Sequence, residues 1–410
     1  MLKIYVCGPT VYNDVHIGNM RPIVTMDLIL KAAKQLGIEY KFVHNITDID
    51  DKIIKKAQEQ GVAENQVSEK YGNLYLDLLK QFNVDTITDI EYVTENIDLI
   101  DNFIQRLIKS NNAYLDNEGN VWFDVIKNQN DYGIVSNQKI ENMKFEDSEL
   151  SSNKKSPADF ALWKNTTEGV KYNVSFGEGR PGWHTECVAL IEKHFGDSGL
   201  DIHGGGMDLT FPHHENENIQ FYALNQKQLS NKWLRTGQIN LNGIKMSKSL
   251  QNVILASDFL KNYSADYFKM ILLLNSFTGL INIDENLINN VEVIFKKISK
   301  IYFLNALLNK QNNSQIKNEL ATEAFTYIFE QRFSDFNKLI NDLIKNINKD
   351  KNTLDIATLV YIFDKLGFEF NKFDYKKYVA IYQKWQDFLA QKDYQNADKL
   401  RNELIENNLI

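Results

Sequence analysis

Ile4-Tyr5-Val6-Cys7-Gly8-Pro9-Thr10-Val11-Tyr12-Asn13-Asp14-Val15-His16-Ile17-Gly18-Asn19 decides the fold. Ile4 to Cys7 reads as a strand, and the segment after it is rich in turn residues. A helix is expected from about Asn19 to Leu36, and a second strand from Tyr40 to Asn45. The order strand, loop, helix, strand implies parallel strands joined by a right-handed crossover. In an open α/β sheet the loop after such a strand is where ligands bind. His16, Gly18 and Asn19 would stand near the helix N-terminus, which favours phosphate.

Downstream, residues 94–110 read as a helix. Residues 112–180 are polar and irregular, with strand signals at Val121 to Val125, and read as an insertion into the sheet domain. A helix at 184–195, a strand at 199–203 and a helix at 213–225 follow. Beyond residue 285 the pattern is helical. Leu287, Val291, Ile294, Ile298 and Tyr302 form one apolar stripe. Trp385, Phe388 and Leu389 mark another, and Asp393 is placed to cap a last helix with Tyr394, Ala397, Leu400 and Leu404 on its inner face. The expected architecture is a Rossmann-like parallel-sheet α/β domain (1–235, insertion about 112–180), a lysine-loop region (236–284) and an all-α helical bundle (285–410).

The bulk numbers fit two or three domains in 410 residues, 43% hydrophobic and 24% charged. No apolar run approaches ~18 residues, so no transmembrane helix is expected. The N-terminus reads as a strand rather than a signal peptide, which makes the cytoplasm the expected location. A net charge of -8 gives no global support for nucleic-acid binding, so any such site needs local positive patches. All seven histidines, both cysteines and all five prolines lie at or before residue 214, so the reactive side chains are in the first half.

Asp201-Ile202-His203-Gly204-Gly205-Gly206-Met207-Asp208-Leu209-Thr210-Phe211-Pro212-His213-His214-Glu215-Asn216-Glu217 is the densest polar stretch. Its glycines read as a turn that lets a backbone approach a nucleotide. Pro212 suits a first helical turn, and His213 and Glu217 are then four apart on one face. His214 is expected to point elsewhere. Lys245-Met246-Ser247-Lys248-Ser249 sets two lysines around small hydroxyl residues in a loop that can close on a triphosphate.

His16-Ile17-Gly18-Asn19 and Lys245-Met246-Ser247-Lys248-Ser249, in that order, resemble the two signatures of the class I aminoacyl-tRNA synthetases. The longer words narrow this to the cysteinyl-tRNA synthetases. They are Tyr5-Val6-Cys7-Gly8-Pro9-Thr10-Val11-Tyr12, Asn45-Ile46-Thr47-Asp48-Ile49-Asp50-Asp51-Lys52-Ile53 and Gly179-Arg180-Pro181-Gly182-Trp183-His184-Thr185-Glu186-Cys187. The resemblance is strong over residues 3–285 and weak over the helical tail. For the three expected domains it implies catalysis in the first, acceptor-stem contact in the second and tRNA anticodon binding in the third. It implies one Zn²⁺ held by Cys7, Cys187, His213 and Glu217, a donor set acceptable to that ion.

The resemblance also implies phosphate-stabilising roles for His16, Asn19, Lys245 and Lys248. ATP would meet Gly18, Gly204, Gly205, Asp208 and Lys248, with Asp208 on the ribose. Substrate cysteine would meet Thr47, Trp183, His184 and His203. Mg²⁺ would accompany ATP, and the partners would be L-cysteine, ATP and tRNA(Cys), with a monomer expected and no membrane. Two thiolates and Glu217 carry -3 against +2, and His184 and His203 are expected to offset this by donating hydrogen bonds. Zinc suits a thiol substrate, because a metal–sulfur bond separates cysteine from serine where an apolar pocket gives only ~1–3 kcal/mol. An insertion of about 70 residues is short for an editing domain. Asp48, Asp50 and Asp51 read as helix-start acids, and Lys52 as solvated.

The chain departs from the family pattern in several places. It begins almost at the first strand and stops soon after the last expected helix. It has Leu250-Gln251-Asn252 after the lysine word, and His44 where arginine is frequent. Two other readings share the zinc and phosphate words: an ATP-dependent cysteine ligase acting on a small amino-sugar amine, and a non-catalytic synthetase-like binding protein. The tail word Asp393-Tyr394-Gln395-Asn396-Ala397-Asp398-Lys399-Leu400-Arg401 argues against the first. Retention of His16, Lys245 and Lys248 argues against the second.

Overall fold

The computed structural model describes residues 1–145, 153–246, 252–308 and 315–410. The chain divides into two compact units: 1–23, 39–238 and 255–257 in one, and 24–38, 239–254 and 258–410 in the other.

The first unit is built on a five-stranded parallel sheet of β1 (Leu2–Val6), β2 (Tyr40–Ile46), β3 (Asp89–Tyr92), β9 (Leu200–Gly206) and β10 (Ser230–Thr236). Their order is β10-β9-β1-β2-β3. The sequence turns on β1, the central strand, and from Ile4 onward it is buried because helices cover both faces of a parallel sheet. The crossover helix α1 (Ile17–Gln35) starts two residues earlier than expected, and its residues from Val24 on belong to the second unit. Helices α2 (Asp51–Gln60), α3 (Glu64–Gln81) and α4 (Ile97–Lys109) lie between β2 and the insertion. Asp50 caps α2 by accepting from Lys52 N at 2.8 Å, and Asp51 opens it. Asp48, expected at the same helix start, instead accepts from Thr94 N at 3.0 Å and fixes the end of β3.

The insertion is more regular than its polar sequence suggests. Strands β4 (Ala113–Leu115), β5 (Val121–Phe123), β6 (Phe160–Lys164), β7 (Tyr172–Val174) and β8 (Gly177–Pro181) pair antiparallel in the order β4-β5-β6-β8-β7. Three-residue strands alternate too briefly to leave a period in the sequence. Helices α5 (Thr185–Phe195) and α6 (Glu215–Asn225) then flank β9 in chain order. The three glycines read as a turn are in fact the last residues of β9. Gly204 pairs with Val6 on one side and Leu234 on the other. The bend comes later, in the tight turn Thr210–His214 that leads into α6 and contains Pro212.

The second unit holds a small sheet of β11 (Ile239–Leu241), β12 (Ile244–Lys245) and β13 (Ile281–Ile283), with β11 in the middle. Its helices are α7 (Ala256–Asn262), α8 (Ala265–Leu273), α9 (Glu285–Leu308), α10 (Asn318–Phe329), α11 (Phe333–Asp350), α12 (Thr353–Lys365), α13 (Tyr375–Ala390) and α14 (Tyr394–Glu406). Ala256 and Ser257, at the start of α7, belong to the first unit. The stripe on α9 packs through Val291, Ile298 and Tyr302. Asp393 caps α14 as expected, and Ala397 and Leu404 face inward, but Tyr394 is 61% exposed and does not join them. Leu389 is likewise exposed.

Buried charge ties the C-terminal half of α1 into this unit. Lys31 Nζ lies 2.6 Å from Asp27 Oδ2, both buried, and Lys269 Nζ donates to Gly367 O at 2.5 Å beside Asp266. A Cβ on Gly367, which has φ +78°, would meet Lys31 Nζ at 2.7 Å. Asp27→Ala removes the buried carboxylate facing the buried Lys31. The expected loss is about 3–5 kcal/mol, read as a shift in the urea midpoint; a loss under about 1 kcal/mol would show that water or neighbouring carbonyls carry that charge instead.

Candidate metal centre and nucleotide loop

Four donors from three separated parts of the chain meet at the carboxyl ends of β1 and β9. Cys7 follows β1, Cys187 lies in the first turn of α5, His213 stands in the turn before α6, and Glu217 is in the first turn of α6. Cys7 Sγ is 3.5 Å from His213 Nε2 and 3.4 Å from Glu217 Oε1. Cys187 Sγ is 3.7 Å from His213 Nε2. His213 Nε2 and Glu217 Oε1 are 3.0 Å apart, as their four-residue spacing allows. A tetrahedral zinc with Zn–S of about 2.3 Å and Zn–N or Zn–O of about 2.0–2.2 Å has ligand-to-ligand edges of roughly 3.3–3.8 Å. The two thiol–imidazole distances and the thiol–carboxylate distance fall within that range, and the His213–Glu217 edge is shorter. The residues therefore fit such an ion.

A second set, Cys7, His203, His214 and Glu217, is also close enough to share a cation. His214 thus does not point away, contrary to expectation: its Nε2 is 3.8 Å from Cys7 Sγ. Gly205 makes this possible, since a Cβ there would stand 3.0 Å from the His214 ring. The set with both thiols is the better zinc site, because soft thiolates select that metal. His203 and His184 then sit behind it. His203 Nε2 lies 2.8 Å from Glu217 Oε2, the oxygen facing away from His213. His184 Nδ1 is 3.0 Å from His213 Nδ1. Outer partners of this kind fix ligand orientation.

The electrostatics agree with a cation-binding pocket. Burial works against the charge on Glu217, but His203 and His213 hold its carboxyl well below the usual range. Burial also opposes charge on His213, yet Glu217 and Cys187 raise it to about 10. Burial disfavours the Cys187 thiolate, but the hydrogen bond from Cys7 and the His213 charge bring it down to about 7. Cys7 is pushed well up by burial and by its bond with Cys187. Burial and the neighbouring imidazoles keep His184 and His214 neutral. One proton between two thiols, beside an anionic carboxylate, is what a divalent cation would displace.

Around this centre Trp183 is 36% exposed, and its ring centroid lies 4.3 Å from that of His213. Thr47, at the end of β2, is buried. Its Oγ1 donates to Glu186 and accepts from Asn45 Nδ2 at 3.2 Å. Asn45 Oδ1 accepts from Gly8 N at 2.8 Å, and a Cβ on Gly8 would overlap Asn45 O. Glu186, Asn45 and Tyr5, whose ring meets that of His203 edge to face at 5.5 Å, carry no site role in the sequence reading. Glu186 had a signal: a carboxylate beside Cys187 on a helix whose buried face is otherwise largely apolar. Tyr5 had none, being one more aromatic in a buried strand. Lys52 is exposed but stands 5.8 Å from the rings of both Tyr12 and Trp183. His44 is a buried neutral ring held by Val6 O and Tyr75 Oη, each at 2.8 Å, and burial lowers it to about 4.

His16 ends the loop after β1, and Asn19 Oδ1 accepts from its N–H at 3.1 Å, which fixes that turn at the start of α1. Gly204 and Gly205 are buried in β9, and Asp208 is exposed just past it. Lys245 ends β12 in the second unit, exposed. Lys248 lies outside the described residues, as do Ser247 and Ser249.

The fold is that of the class I aminoacyl-tRNA synthetases. Methionyl-tRNA synthetase of Mycobacterium tuberculosis, solved with methionyl-adenylate, superposes with a TM-score of 0.59 at 14% identity, over 94% of this chain and 85% of that one. The LeuRS of Agrobacterium radiobacter K84, solved in a ternary complex with tRNA, gives 0.64 at 9% identity, over 89% and 84%. Residues 1–293 match the family described as tRNA synthetases class I (C) catalytic domain. The cysteine–tRNA ligase of Mesomycoplasma hyopneumoniae strain 232 is 43% identical over 404 residues, covering 98% of this chain and 96% of the relative. That of Mycoplasma mycoides subsp. mycoides SC is 40% identical over 425 residues, covering 100% and 96%. The chain belongs to the cysteine–tRNA ligase family.

Proposed function

We propose that this protein activates L-cysteine with ATP and transfers it to the 3′ end of tRNA(Cys), selecting the substrate thiol at a zinc ion held by Cys7, Cys187, His213 and Glu217. What supports this reading is the meeting of those four donors beside the His16 loop, in a chain similar over its whole length to cysteine–tRNA ligases. The cysteine carboxylate attacks the α-phosphorus of ATP and pyrophosphate leaves. A ribose hydroxyl of the tRNA then attacks the acyl carbon and AMP leaves.

When bound, zinc supplies a Lewis acid that lowers a thiol's pKa and holds it as thiolate, which a serine hydroxyl cannot match. The chain's own residues do the rest. His203 holds the far oxygen of Glu217, and His184 orients His213. Trp183 closes one wall of the amino-acid pocket, and Thr47, held by Glu186 and Asn45, forms another. His16 and Asn19, with Lys245 and Lys248, stabilise charge on the phosphates, so that catalysis is mainly positioning and electrostatics. Gly18, Gly204, Gly205 and Asp208 receive the nucleotide, which brings Mg²⁺ with it. Residues 236–284 face the acceptor stem, and the helices from α9 onward take the anticodon arm. The protein works in the cytoplasm; among the described residues no helix is long and apolar enough to cross a membrane.

Cysteine-dependent ATP–pyrophosphate exchange followed by charging of tRNA(Cys) tests this. Both activities are expected, with one zinc per chain, and chelation should stop exchange until zinc is restored. Exchange without charging would point to a small-amine ligase, and absence of both to a binding protein.

A further inference from the structure

Tyr5 lies in β1, two residues before Cys7, whose N–H continues the ladder by donating to Gly204 O at 3.3 Å. Alternate residues of a strand share a face, so the Tyr5 and Cys7 side chains leave the sheet on the same side. In register Tyr5 stands beside Val43 on β2 and His203 on β9. Its ring meets the His203 ring edge to face, centroids 5.5 Å apart, and His203 reaches Glu217 at 2.8 Å. Asn45, two residues beyond Val43, has its Oδ1 4.0 Å from Cys187 Sγ. One face of the sheet thus carries Tyr5 directly against the metal donors.

The Tyr5 ring is 0% exposed, and its hydroxyl has no hydrogen-bond partner among the described residues. A buried hydroxyl left unpaired costs free energy, which a phenylalanine of the same shape would avoid. Burial, then Cys187 and Cys7, push its pKa well up, so it stays a phenol and a donor.

Cys187 is where an acceptor would appear. As a thiol it has its own proton and faces Asn45 Oδ1. As a zinc-bound thiolate it only accepts. Asn45 cannot turn its amide to serve it, because Oδ1 accepts from Gly8 N at 2.8 Å and Nδ2 donates to Thr47 at 3.2 Å. His213 Nε2, 3.7 Å from Cys187 Sγ, is itself one of the metal donors. Glu217 and His213 already have outer partners in His203 and His184. The Cys187 sulfur lacks one, and the Tyr5 hydroxyl lacks an acceptor.

We infer that Tyr5 is a positioning residue of the metal centre, whose hydroxyl donates to the Cys187 thiolate once zinc is bound. The inference rests on the zinc-dependent function proposed above. Two thiolates and Glu217 set three negative charges around a divalent ion, and the substrate thiolate adds a fourth. A hydrogen bond to one sulfur draws off part of that charge, which holds the ligand set together and leaves the ion a stronger acid toward the substrate thiol.

Tyr5→Phe keeps the ring and removes only the hydroxyl. Zinc affinity of the full-length apoprotein, measured by competition with a chromophoric chelator, should fall by about 10–100-fold. In the cobalt-substituted protein the thiolate-to-metal charge-transfer band should move to longer wavelength, because a sulfur that has lost a hydrogen bond gives up its electrons more readily. The apoprotein should resist urea at least as well as wild type, since it loses only an unpaired buried group. 3-Fluorotyrosine in place of Tyr5, a stronger donor of nearly the same size, should move the band the other way, and it decides the matter should Tyr5→Phe not fold.

Unchanged zinc affinity with an unshifted band would overturn the inference. So would an apoprotein weakened by Tyr5→Phe whose band stays in place, since that is the signature of a tyrosine that only packs. Wild-type protein that binds no zinc would instead refute the functional reading beneath it.

Discussion

Cys187→Ala is expected to leave the purified protein without its zinc and to lower cysteine-dependent pyrophosphate exchange by on the order of 10³-fold or more. Removing an outer-shell partner of a metal typically costs ~10–100-fold in affinity, and losing a thiolate donor removes a ligand outright. The three donors left, Cys7, His213 and Glu217, would still face one another, but burial favours protonated Cys7 and thus a weaker ligand set. The protein should stay folded, because Cys187 contributes a small side chain to a large core. Metal analysis by mass spectrometry together with exchange rates checks this. Retention of one zinc per chain, or exchange within about tenfold of wild type, would exclude Cys187 as a ligand. A further readout is discrimination: any residual activity should separate cysteine from serine by no more than the ~1–3 kcal/mol that shape alone gives.

His16→Ala carries the second large effect, and it should fall on a different quantity. His16 stands at the start of α1, where the helix end favours negative charge. A donor aimed at charge developing in the transition state is worth about 10²–10³ in rate. The turnover of pyrophosphate exchange should therefore drop by that factor, with zinc content and the affinity for cysteine unchanged. Stopped-flow or quench measurement of adenylate formation, set beside cysteine binding by calorimetry, separates the two. A matching loss in cysteine affinity would show that His16 supports the amino-acid pocket instead.

Much of the site was legible because its chemistry uses rare residues. With two cysteines and seven histidines in the chain, a thiol–imidazole cluster has few possible members. The four-residue spacing of His213 and Glu217 allows their contact, which forms with His213 in the turn before α6 and Glu217 in its first helical turn. His214 was misread because a helical period was extended back through Pro212, whereas a tight turn precedes α6 and redirects that ring toward Gly205. The glycine run was read as a turn because glycine is permissive. In the folded chain it is a strand end, and one of its positions is small so that a histidine can lie against it. The insertion looked irregular because its strands are three to five residues long, too short for an alternation to be counted.

By itself the sequence determined the parallel strand–loop–helix core, the helical second half and the family. Each rests on local periodicity or on short words of rare residues, which survive in one dimension. Only the tertiary structure decided that Cys7, Cys187, His213 and Glu217 meet, which histidines stand behind them, and that Glu186 and Asn45 hold Thr47. It alone set the rings of Tyr5 and His203, from distant parts of the chain, against each other on neighbouring strands. Such relations join side chains across sheet and helix, where the packing of neighbouring elements sets distance and direction, and no spacing along the chain encodes them.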